Sequence, residues 1–350
     1  KNIIVDSVET DFALAPTKFC DTGTVSFNNL TTSFSPITNY LWNFGDGATY
    51  TNIDTAHKYW APGLYTVKLF VTNTNGCKDT TIYADTVKVY NLPSATINGK
   101  AIVCLTPFSR LQYTSTVNSI DPITQYTWKI RTATIALVPD LDYDYRNPGN
   151  SLLSFIVKTT NGCVDTATKN IIIDSIQTNF SINKNKFCDS GTVRFTNLSA
   201  HTNYINTYSW DFGDAGTHNG FDTIHTYTSP GIYSVKLYGI TENGCKDTTI
   251  YADTIKVFNL PVAKIIGDSI HCKPGVYDYF SNINSVDNII DYKWYVDNKL
   301  VATTNNLTQN FYAGNHVISL SVTTSNNCTD LVTRNIIVDS VKANFSIVKN

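Results

Sequence analysis

The sequence has few charged residues and no methionine. Only 15% of its 350 residues are Asp, Glu, Lys or Arg, and the formal net charge is -2. Such a chain has no basic field for nucleic acid or anionic lipid. No apolar run approaches the length of a membrane-spanning helix. We therefore expect neither nucleic-acid binding nor membrane insertion. The missing methionine indicates a mature chain or an excised piece.

The sequence also lacks the short motifs of common catalytic and metal sites. It contains no G-x-S-x-G, no H-E-x-x-H, no P-loop and no EF-hand loop. We therefore expect no enzymatic activity, no cofactor and no bound metal ion. What the chain has in abundance is Tyr (21) and Phe (17), residues that favour strands over helices.

Eight cysteines are the most informative residues present. In a chain rich in Thr and Asn they predict disulfides formed in an oxidising, extracytoplasmic setting. Metal binding is the alternative interpretation. However, no two cysteines have C-x-x-C or C-x-x-x-x-C spacing, and the histidines do not cluster beside them.

The chain is an internal repeat. NGCKDTTIYADT occurs at residues 75–86 and again at 243–254, and KFCDTGTVSF (18–27) returns as KFCDSGTVRF (186–195). Four of the cysteines recur at one constant interval, half of the period of 168, namely Cys20, Cys104, Cys188 and Cys272. The full period therefore contains two module types in the order A-B-A-B.

We divide the chain accordingly into four modules, which we name A1, B1, A2 and B2. The ends match the ends of internal modules, so we expect a piece cut from a longer array. The predicted ranges are 1–8 (last strand of a preceding module), 9–92 (A1), 93–176 (B1), 177–260 (A2), 261–341 (B2) and 342–350 (first strand of the next module).

Each module is predicted to be all-β. LYTVKLFVT alternates, with Tyr65, Val67, Leu69 and Val71 on one face. Asn-Gly and Pro-Gly pairs mark chain reversals between the strands. About seven short strands in roughly 84 residues are typical of a two-sheet sandwich. We predict four tandem immunoglobulin-like β-sandwiches in an elongated rod.

The A modules resemble the PKD domain, an immunoglobulin-like β-sandwich. A1 has WNFGDG (42–47), HKY (57–59) and PGLYTVKLFVTN (62–73), and A2 has WDFGDAG, HTY and PGIYSVKLYGIT in the same order. The Ala215-Gly216 order departs from the usual motif. The B modules lack FGDG and look like generic immunoglobulin-like domains.

The resemblance implies positions for several side chains. His57 and His225 are expected at a strand edge, packed and bonded to the backbone. Tyrosines 65 and 233 would form tyrosine corners. Asp46 and Asp214 are predicted to tie a tight turn, with calcium as the alternative, although calcium needs six or more oxygens. Large rings are predicted to fill the cores, namely Trp42, Trp128, Trp210 and Trp294.

Two surface features remain open. Trp60 has no aromatic counterpart in A2, and packing against its own module is favoured over stacking on a sugar or a neighbouring subunit. Asp followed by Ser or Thr recurs and resembles the O-glycosylation sequon of Bacteroidota secreted proteins, or is merely a strand-entry pair. The candidate hydroxyls are Ser7, Thr55, Thr80, Thr86, Thr166, Ser175, Thr223, Thr248, Thr254, Ser269 and Ser340.

Two disulfide schemes are compatible with the spacing. In a sandwich, the loop after the first strand and the last turn lie at opposite ends, and Cys20 precedes Val25 by five positions, about 16 Å of strand. This favours a staggered scheme between modules, Cys20–Cys163, Cys104–Cys245 and Cys188–Cys328, which leaves Cys77 and Cys272 for other modules or unpaired. The alternative pairs cysteines within modules, as Cys20–Cys77, Cys104–Cys163, Cys188–Cys245 and Cys272–Cys328.

These features predict a structural, non-enzymatic stalk or filament segment. Tandem sandwiches joined by short Asn-Leu-Pro junctions resemble the giant surface adhesins and filament subunits of Bacteroidota. The expected location is extracellular, at the cell surface. The expected partners are neighbouring modules, other copies in a fibre, surface polysaccharide, or a host or substratum. The alternative is a spacer or carbohydrate-binding region of a secreted degradative enzyme.

Overall fold

The computed structural model of the chain describes residues 3, 5–106 and 109–341. Within these ranges every regular element is a β-strand. The chain divides into two compact units, residues 1–174 and 175–350. The described residues of each unit contain one A module followed by one B module. This all-β architecture of tandem sandwiches is the predicted fold class, and the predicted strand at 342–350 lies outside the described residues.

The first unit begins with A1. A five-stranded sheet of order β3-β10-β9-β6-β7 faces a three-stranded sheet of order β2-β4-β8, and β1 pairs with β5. The strands are β1 (Val8–Glu9), β2 (Phe12–Ala15), β3 (Lys18–Cys20), β4 (Gly23–Asn29), β5 (Thr32–Ser33), β6 (Ile37–Asn43), β7 (Thr49–Tyr50), β8 (Thr55–Tyr59), β9 (Gly63–Asn73) and β10 (Lys78–Tyr90).

Module B1 completes the first unit. It has the same two layers, β12-β18-β17-β14-β15 and β11-β13-β16. Its strands are β11 (Ser94–Asn98), β12 (Ile102–Cys104), β13 (Arg110–Asn118), β14 (Ile123–Ile130), β15 (Ala133–Ala136), β16 (Leu141–Asp144), β17 (Gly149–Thr159) and β18 (Val164–Asp174).

The second unit begins with A2, which repeats A1. Its sheets are β21-β28-β27-β24-β25 and β20-β22-β26, and β19 pairs with β23. Its strands are β19 (Ile176–Gln177), β20 (Phe180–Ile182), β21 (Lys186–Cys188), β22 (Gly191–Asn197), β23 (Ala200–His201), β24 (Ile205–Asp211), β25 (Thr217–Asn219), β26 (Thr223–Tyr227), β27 (Gly231–Thr241) and β28 (Lys246–Phe258).

Module B2 repeats B1. Its sheets are β30-β36-β35-β32-β33 and β29-β31-β34. Its strands are β29 (Val262–Ile266), β30 (Ile270–His271), β31 (Gly275–Asn284), β32 (Ile289–Val296), β33 (Lys299–Ala302), β34 (Asn306–Phe311), β35 (Gly314–Thr324) and β36 (Thr329–Val338).

Both A modules begin one strand earlier than the sequence suggests. Val8, the predicted end of a preceding module, lies in β1, and its partner in β5 is Ser33 of A1. Ile176, the predicted end of B1, lies in β19, and its partner in β23 is His201 of A2. Each A module therefore starts with a short strand that the repeat period assigns to its predecessor.

Each module has its own apolar core between the two sheets. The alternation of β9 buries Val67, Leu69 and Val71 completely or nearly so, while Tyr65 is half-buried on the same face. The four tryptophans predicted for the cores, Trp42, Trp128, Trp210 and Trp294, are all fully buried.

Every core tryptophan is also anchored by its ring nitrogen. Each Nε1–H donates to a backbone carbonyl ten positions further on, at 2.9 to 3.1 Å. A buried indole N–H needs such a partner, since leaving it unpaired costs free energy. The acceptors are the carbonyls of Asn52, Val138, Gly220 and Thr304.

Candidate functional site: the disulfide joints between modules

In each unit one disulfide joins the two sandwiches. Cys20 of A1 is bonded to Cys163 of B1 with the Cα atoms 5.6 Å apart. Cys188 of A2 is bonded to Cys328 of B2 with the same Cα separation of 5.6 Å. These are two of the three bonds of the staggered scheme. We call each such contact an A–B joint.

The scheme of bonds within modules is wrong. Because Cys20 and Cys163 are bonded to each other, Cys20–Cys77 and Cys104–Cys163 cannot form. Because Cys188 and Cys328 are bonded, Cys188–Cys245 and Cys272–Cys328 cannot form either. The physical reason is that the two cysteines of one sandwich lie at opposite ends.

The remaining four cysteines differ in state. Cys77 is a half-buried free thiol and Cys272 an exposed one, as the staggered scheme requires. Cys104 and Cys245 are both disulfide-bonded. The predicted bond between these two would join the two units, and it stays a prediction.

The A-module side of the joint is built on a short edge strand. β3 pairs in parallel with the end of β10, where Cys20 lies beside Tyr90. The next residue, Asp21, has φ +67° and donates its N–H to the Tyr90 carbonyl at 2.8 Å. The sulfur is thereby fixed next to the last residue of A1 before the junction.

The B-module side is a tight turn between β17 and β18. The N–H of Cys163 donates to the Thr159 hydroxyl at 3.1 Å, and the Cys163 carbonyl accepts from the Thr159 N–H at 2.9 Å. Cys163 is 1% exposed and Thr159 is equally buried. Cys328 and Thr324 make the same two bonds in B2. The buried sulfur is thus held rigidly from its own side.

An aspartate two positions after the turn cysteine completes the joint. Asp165 Oδ2 accepts the N–H of Ala95 at 2.8 Å, at the start of the first strand of B1. Ala95 follows the junction 91–93, whose Pro93 is buried. The segment 163–165 therefore bonds to A1 through its sulfur and to the chain leaving the junction through its carboxylate. Anchors on both sides of so short a junction restrict its bending.

This aspartate clasp recurs in all four modules. The Oδ2 atoms accept backbone N–H groups at 2.6 to 2.8 Å. The clasp has a counterpart in the sequence, because the cysteine in the last turn of each module is followed two positions later by an aspartate. Three of the four also belong to the Asp-Ser/Thr pattern, which did not indicate this role. The pairs are Asp79 with Thr10, Asp165 with Ala95, Asp247 with Thr178, and Asp330 with Ala263.

The clasp favours the ionised carboxylate. The N–H of Thr10 lowers the pKa of Asp79 below its usual range, chiefly by donating to the charged form. Thr10 is 5% exposed, so its N–H has little access to water. Removing the carboxylate would leave that donor unsatisfied.

The PKD-type motif forms a second repeated cluster. Asp46 Oδ1 accepts the Ala48 N–H at 3.0 Å and ties the turn as predicted. Its other oxygen, Oδ2, lies 2.6 Å from His57 Nε2. Burial raises the pKa of Asp46, but the bonds from His57 and Ala48 outweigh it and leave the pKa lowered. Both oxygens thus have protein partners.

The prediction for the two histidines was half right. The His57 ring packs, as expected, stacked on Phe44 with centroids 4.2 Å apart. Its polar partner is the Asp46 carboxylate rather than a backbone group. His225 and Asp214 repeat the pair at 2.7 Å. In A2 the reordered motif places Ala215 at φ +70°, where A1 has Gly47 at φ +94°.

The tyrosine corners have the expected geometry. Tyr65 donates its hydroxyl to the Ala61 carbonyl at 2.7 Å, and Tyr233 donates to the Ser229 carbonyl at 2.8 Å. Beneath the first of them, Tyr59 is fully buried and donates to the Phe44 carbonyl at 3.0 Å. These bonds fix the loops around the Asp–His pairs.

Trp60 does not pack against its module. The side chain is 71% exposed, contrary to the favoured prediction. The Lys58 ammonium lies 3.6 Å from the ring centroid, a cation–π contact. One ring face is thus covered by a residue of the preceding strand β8, and burial in the core of the module does not explain the residue.

The candidate glycosylation sites differ in accessibility. Thr223 is 9% exposed and is not accessible in the folded chain. The exposed candidates are Ser7, Thr80, Thr166, Thr248 and Ser340, and the half-buried ones are Thr55, Thr86, Ser175, Thr254 and Ser269.

Neither metal-binding nor membrane-spanning features occur in the described residues. Among residues 3, 5–106 and 109–341, no three or more His, Cys, Asp or Glu side chains are grouped so that they could hold a metal ion. Nor does that part of the chain contain a helix long and apolar enough to cross a membrane.

Comparisons with known proteins agree with the repeat pattern. The sequence family described as the PKD domain matches residues 9–89 and 179–257, within the two A modules. Internalin I of Listeria monocytogenes serovar 1/2a is 26% identical over 284 residues, which cover 79% of this chain and 15% of that protein. Internalin I of serotype 4b is 26% identical over 279 residues, with coverages of 78% and 15%. The chain thus spans 15% of the length of these relatives.

Similar solved structures share little sequence identity with this chain. One is a Ca²⁺-stabilised adhesin that helps an Antarctic bacterium bind ice, 10% identical at a TM-score of 0.31, covering 96% of this chain and 99% of that one. Another comprises the fibronectin(III)-like modules of Clostridium thermocellum CbhA, 13% identical at a TM-score of 0.27, covering 50% and 100%. The PKD matches lie at residues 9–89 and 179–257, and the sheets of the chain form a tandem of all-β, immunoglobulin-like sandwich modules.

Proposed function

We propose that this chain is a non-enzymatic stalk segment of a long extracellular surface protein of the adhesin type. Its task is to hold a distant part of the protein away from the cell and to transmit force without extending. The observation that carries this proposal is the A–B joint, in which a disulfide and an aspartate clasp secure both sides of a short junction.

The location and the lack of enzymatic activity belong to the same proposal. Disulfides persist in oxidising compartments, which supports a place outside the cytoplasm. The conspicuous charged pairs, Asp46 with His57 and Asp214 with His225, stack against core aromatics and tie turns. We assign them to stability rather than to catalysis.

Small-angle X-ray scattering of the oxidised chain tests the stalk. The comparison is with a variant in which Cys163→Ser and Cys328→Ser remove both A–B disulfides, and the matched control is Cys77→Ser, at a free thiol. We expect the oxidised chain and the control to scatter as one conformer, and the double variant to need an ensemble of bent forms. Identical, ensemble-type scattering from all three would refute the stalk.

The alternative is a spacer within a secreted degradative enzyme, because PKD-type modules would serve equally well there. The complete sequence of the protein separates the two. Many further alternating A and B modules favour the stalk, whereas a catalytic domain within a few modules favours the spacer.

Lateral association of stalks into a fibre and O-glycosylation are further parts of the proposal. Electron microscopy of native cell surfaces distinguishes single rods from fibres. The intact mass of natively purified protein tests the glycan, which we expect on the exposed candidates and not on Thr223. An unmodified mass would end the glycosylation proposal.

A further inference from the structure

Module B1 has an open cleft of 620 Å³ at the end where β17 begins. Its walls are the turn after β14, the end of β16 and the loop that leads into β17. The polar and aromatic lining includes Arg131, Tyr143, Asp144, Arg146, Asn147 and Asn150. A volume of this size is in the range of small-ligand sites.

The cleft concentrates positive charge in a chain that has little. The sequence contains five arginines, and three of them, Arg110, Arg131 and Arg146, belong to B1. Two of the three line the cleft, against one carboxylate, Asp144. This local excess of guanidinium groups stands out against a charged content of 15%.

The two guanidinium groups are not neutralised by tight ion pairs. Arg131 Nη2 donates to the Asn150 carbonyl at 3.2 Å, and in the described part of the chain no carboxylate lies within ion-pair distance of Arg131. Arg146 Nε is 3.5 Å from Asp144 Oδ2, and the Arg146 side chain is 83% exposed. Both cations therefore retain donors for a ligand.

The backbone conformation at Arg131 is unusual for an arginine. Its φ of +55° lies in the left-handed region, which favours Gly, Asn or Asp. Holding an arginine there costs free energy, because its Cβ crowds the following carbonyl oxygen. An arginine at such a position suggests that its side chain has a use.

In A1 and B2 the positions equivalent to this cleft hold side chains that contact each other. In A1 the stacked rings of Phe44 and His57 stand in the place of Ile130 and Tyr143. In B2 the turn residue is Asp297, which bonds His316 at 2.7 Å. An acidic residue bonded to its neighbour thus replaces the free cation of B1.

We propose that this cleft binds a carboxylate-bearing sugar of an acidic polysaccharide. Guanidinium groups recognise carboxylates with paired, directional hydrogen bonds, which assigns the sugar carboxylate to Arg131 and Arg146. The half-buried ring of Tyr143 offers an apolar face to the pyranose ring. The side chains of Asn147, Asn150 and Ser151 supply partners for hydroxyl groups.

This site goes beyond the stalk and does not depend on it. It would give the segment a ligand of its own, so that B1 would contribute to adhesion in addition to its place in the stalk. A stalk without the site and a spacer with it are both consistent outcomes. The scattering experiment and the binding experiment therefore fail independently.

Isothermal titration calorimetry of the whole oxidised chain with a galacturonic acid trisaccharide tests the site. The variants are Arg131→Asn, which suits the left-handed backbone, and Arg146→Gln. The matched control is Arg194→Gln, at an exposed arginine of A2. Circular dichroism and melting temperature verify that all variants fold. We expect each cleft variant to weaken binding about tenfold, since each removes one charge-assisted pair with the carboxylate, and the control to bind like the unmodified chain.

Four results would overturn the proposal. One is no binding of the acidic trisaccharide by the folded chain. A second is equal binding of a neutral galactose trisaccharide, which would remove the role of the carboxylate. A third is an equal loss in the Arg194→Gln control, which would mean diffuse attraction. The fourth is complete displacement by acetate at the same concentration, which would mean recognition of a simple anion.

Discussion

The staggered disulfides limit how far the chain can be stretched after its modules unfold. A pulling force applied at the two ends follows the shortest covalent path. That path enters at residue 1, crosses from Cys20 to Cys163, continues to Cys188, crosses to Cys328 and ends at residue 350. The residues between each bonded pair carry no load.

The maximum length of the stretched chain follows from the sequence separations of the bonded cysteines. The two bonds bypass 143 and 140 residues. The path that carries the force consists of the residues before Cys20, between Cys163 and Cys188, and after Cys328, which are about 19, 25 and 22 residue steps. These are about 66 steps in all, or about 240 Å at about 3.6 Å per residue. The fully reduced chain offers about 349 steps, or about 1,250 Å. Reduction should therefore release about 1,000 Å of contour length.

Single-molecule force spectroscopy measures this length. The chain is held by tags at both ends and stretched in oxidising buffer, and then in buffer that contains a thiol reductant. We expect a contour length of about 240 Å in the first case and of about 1,250 Å in the second. The Cys77→Ser variant, at a free thiol, is the control and should behave like the unmodified chain.

Bonds within modules would give a different oxidised length. Pairing Cys20 with Cys77, and likewise in the other modules, would leave about 120 residue steps in the path, or about 430 Å. A measured length near that value would refute the joint described above. An oxidised length equal to the reduced one would refute disulfides altogether.

Three further predictions concern single side chains. Asp79→Ala should lower the free energy of unfolding by about 1–3 kcal/mol, because the Thr10 N–H loses its acceptor, and chemical denaturation measures it. The pKa of Asp79 is lowered in the folded state, so its ionised carboxylate stabilises the fold fully above the usual aspartate pKa, and this stabilisation is lost as the pH falls through the folded pKa. The Asp79→Asn variant cannot lose it, so its stability should fall less on acidification, as calorimetric scans at several pH values would show. Trp210→Ala should cost A2 about 3–5 kcal/mol, measured by denaturation.

Each of these has an outcome that contradicts it. The control for the clasp is Glu9→Ala, at an exposed carboxylate, and an equal effect there would mean that Asp79 acts only through net charge. If the stability of Asp79→Asn falls on acidification as steeply as that of the unmodified chain, the lowered pKa of Asp79 would be contradicted. A Trp210→Ala chain as stable as the unmodified one would contradict the packing of that core.

The architecture was predictable because repetition and alternation encode it. Cysteines at a constant interval and the alternating strand at 63–73 are enough to predict tandem sandwiches. The same kind of reasoning favoured the staggered scheme, two of whose bonds, Cys20–Cys163 and Cys188–Cys328, the structure contains, since opposite ends of a sandwich exceed the reach of a disulfide. Both arguments use only distances along strands, which a sequence supplies.

Contacts made by individual side chains were not predictable in this way. The Asp165 carboxylate reaches Ala95, far away in sequence, and no period indicates that pairing. Trp60 was expected to pack, yet the direction of a loop side chain depends on turns that alternation does not describe. The cluster of arginines around the B1 cleft appears only when β14, β16 and β17 are brought together.

The central claim is that the A and B modules of each unit are covalently joined. Peptide mapping of the oxidised chain by mass spectrometry, without reduction, tests it most directly. The account predicts linked peptides that contain Cys20 with Cys163 and Cys188 with Cys328, while Cys77 and Cys272 are recovered as thiols. A linked peptide that contains Cys20 with Cys77 would contradict it.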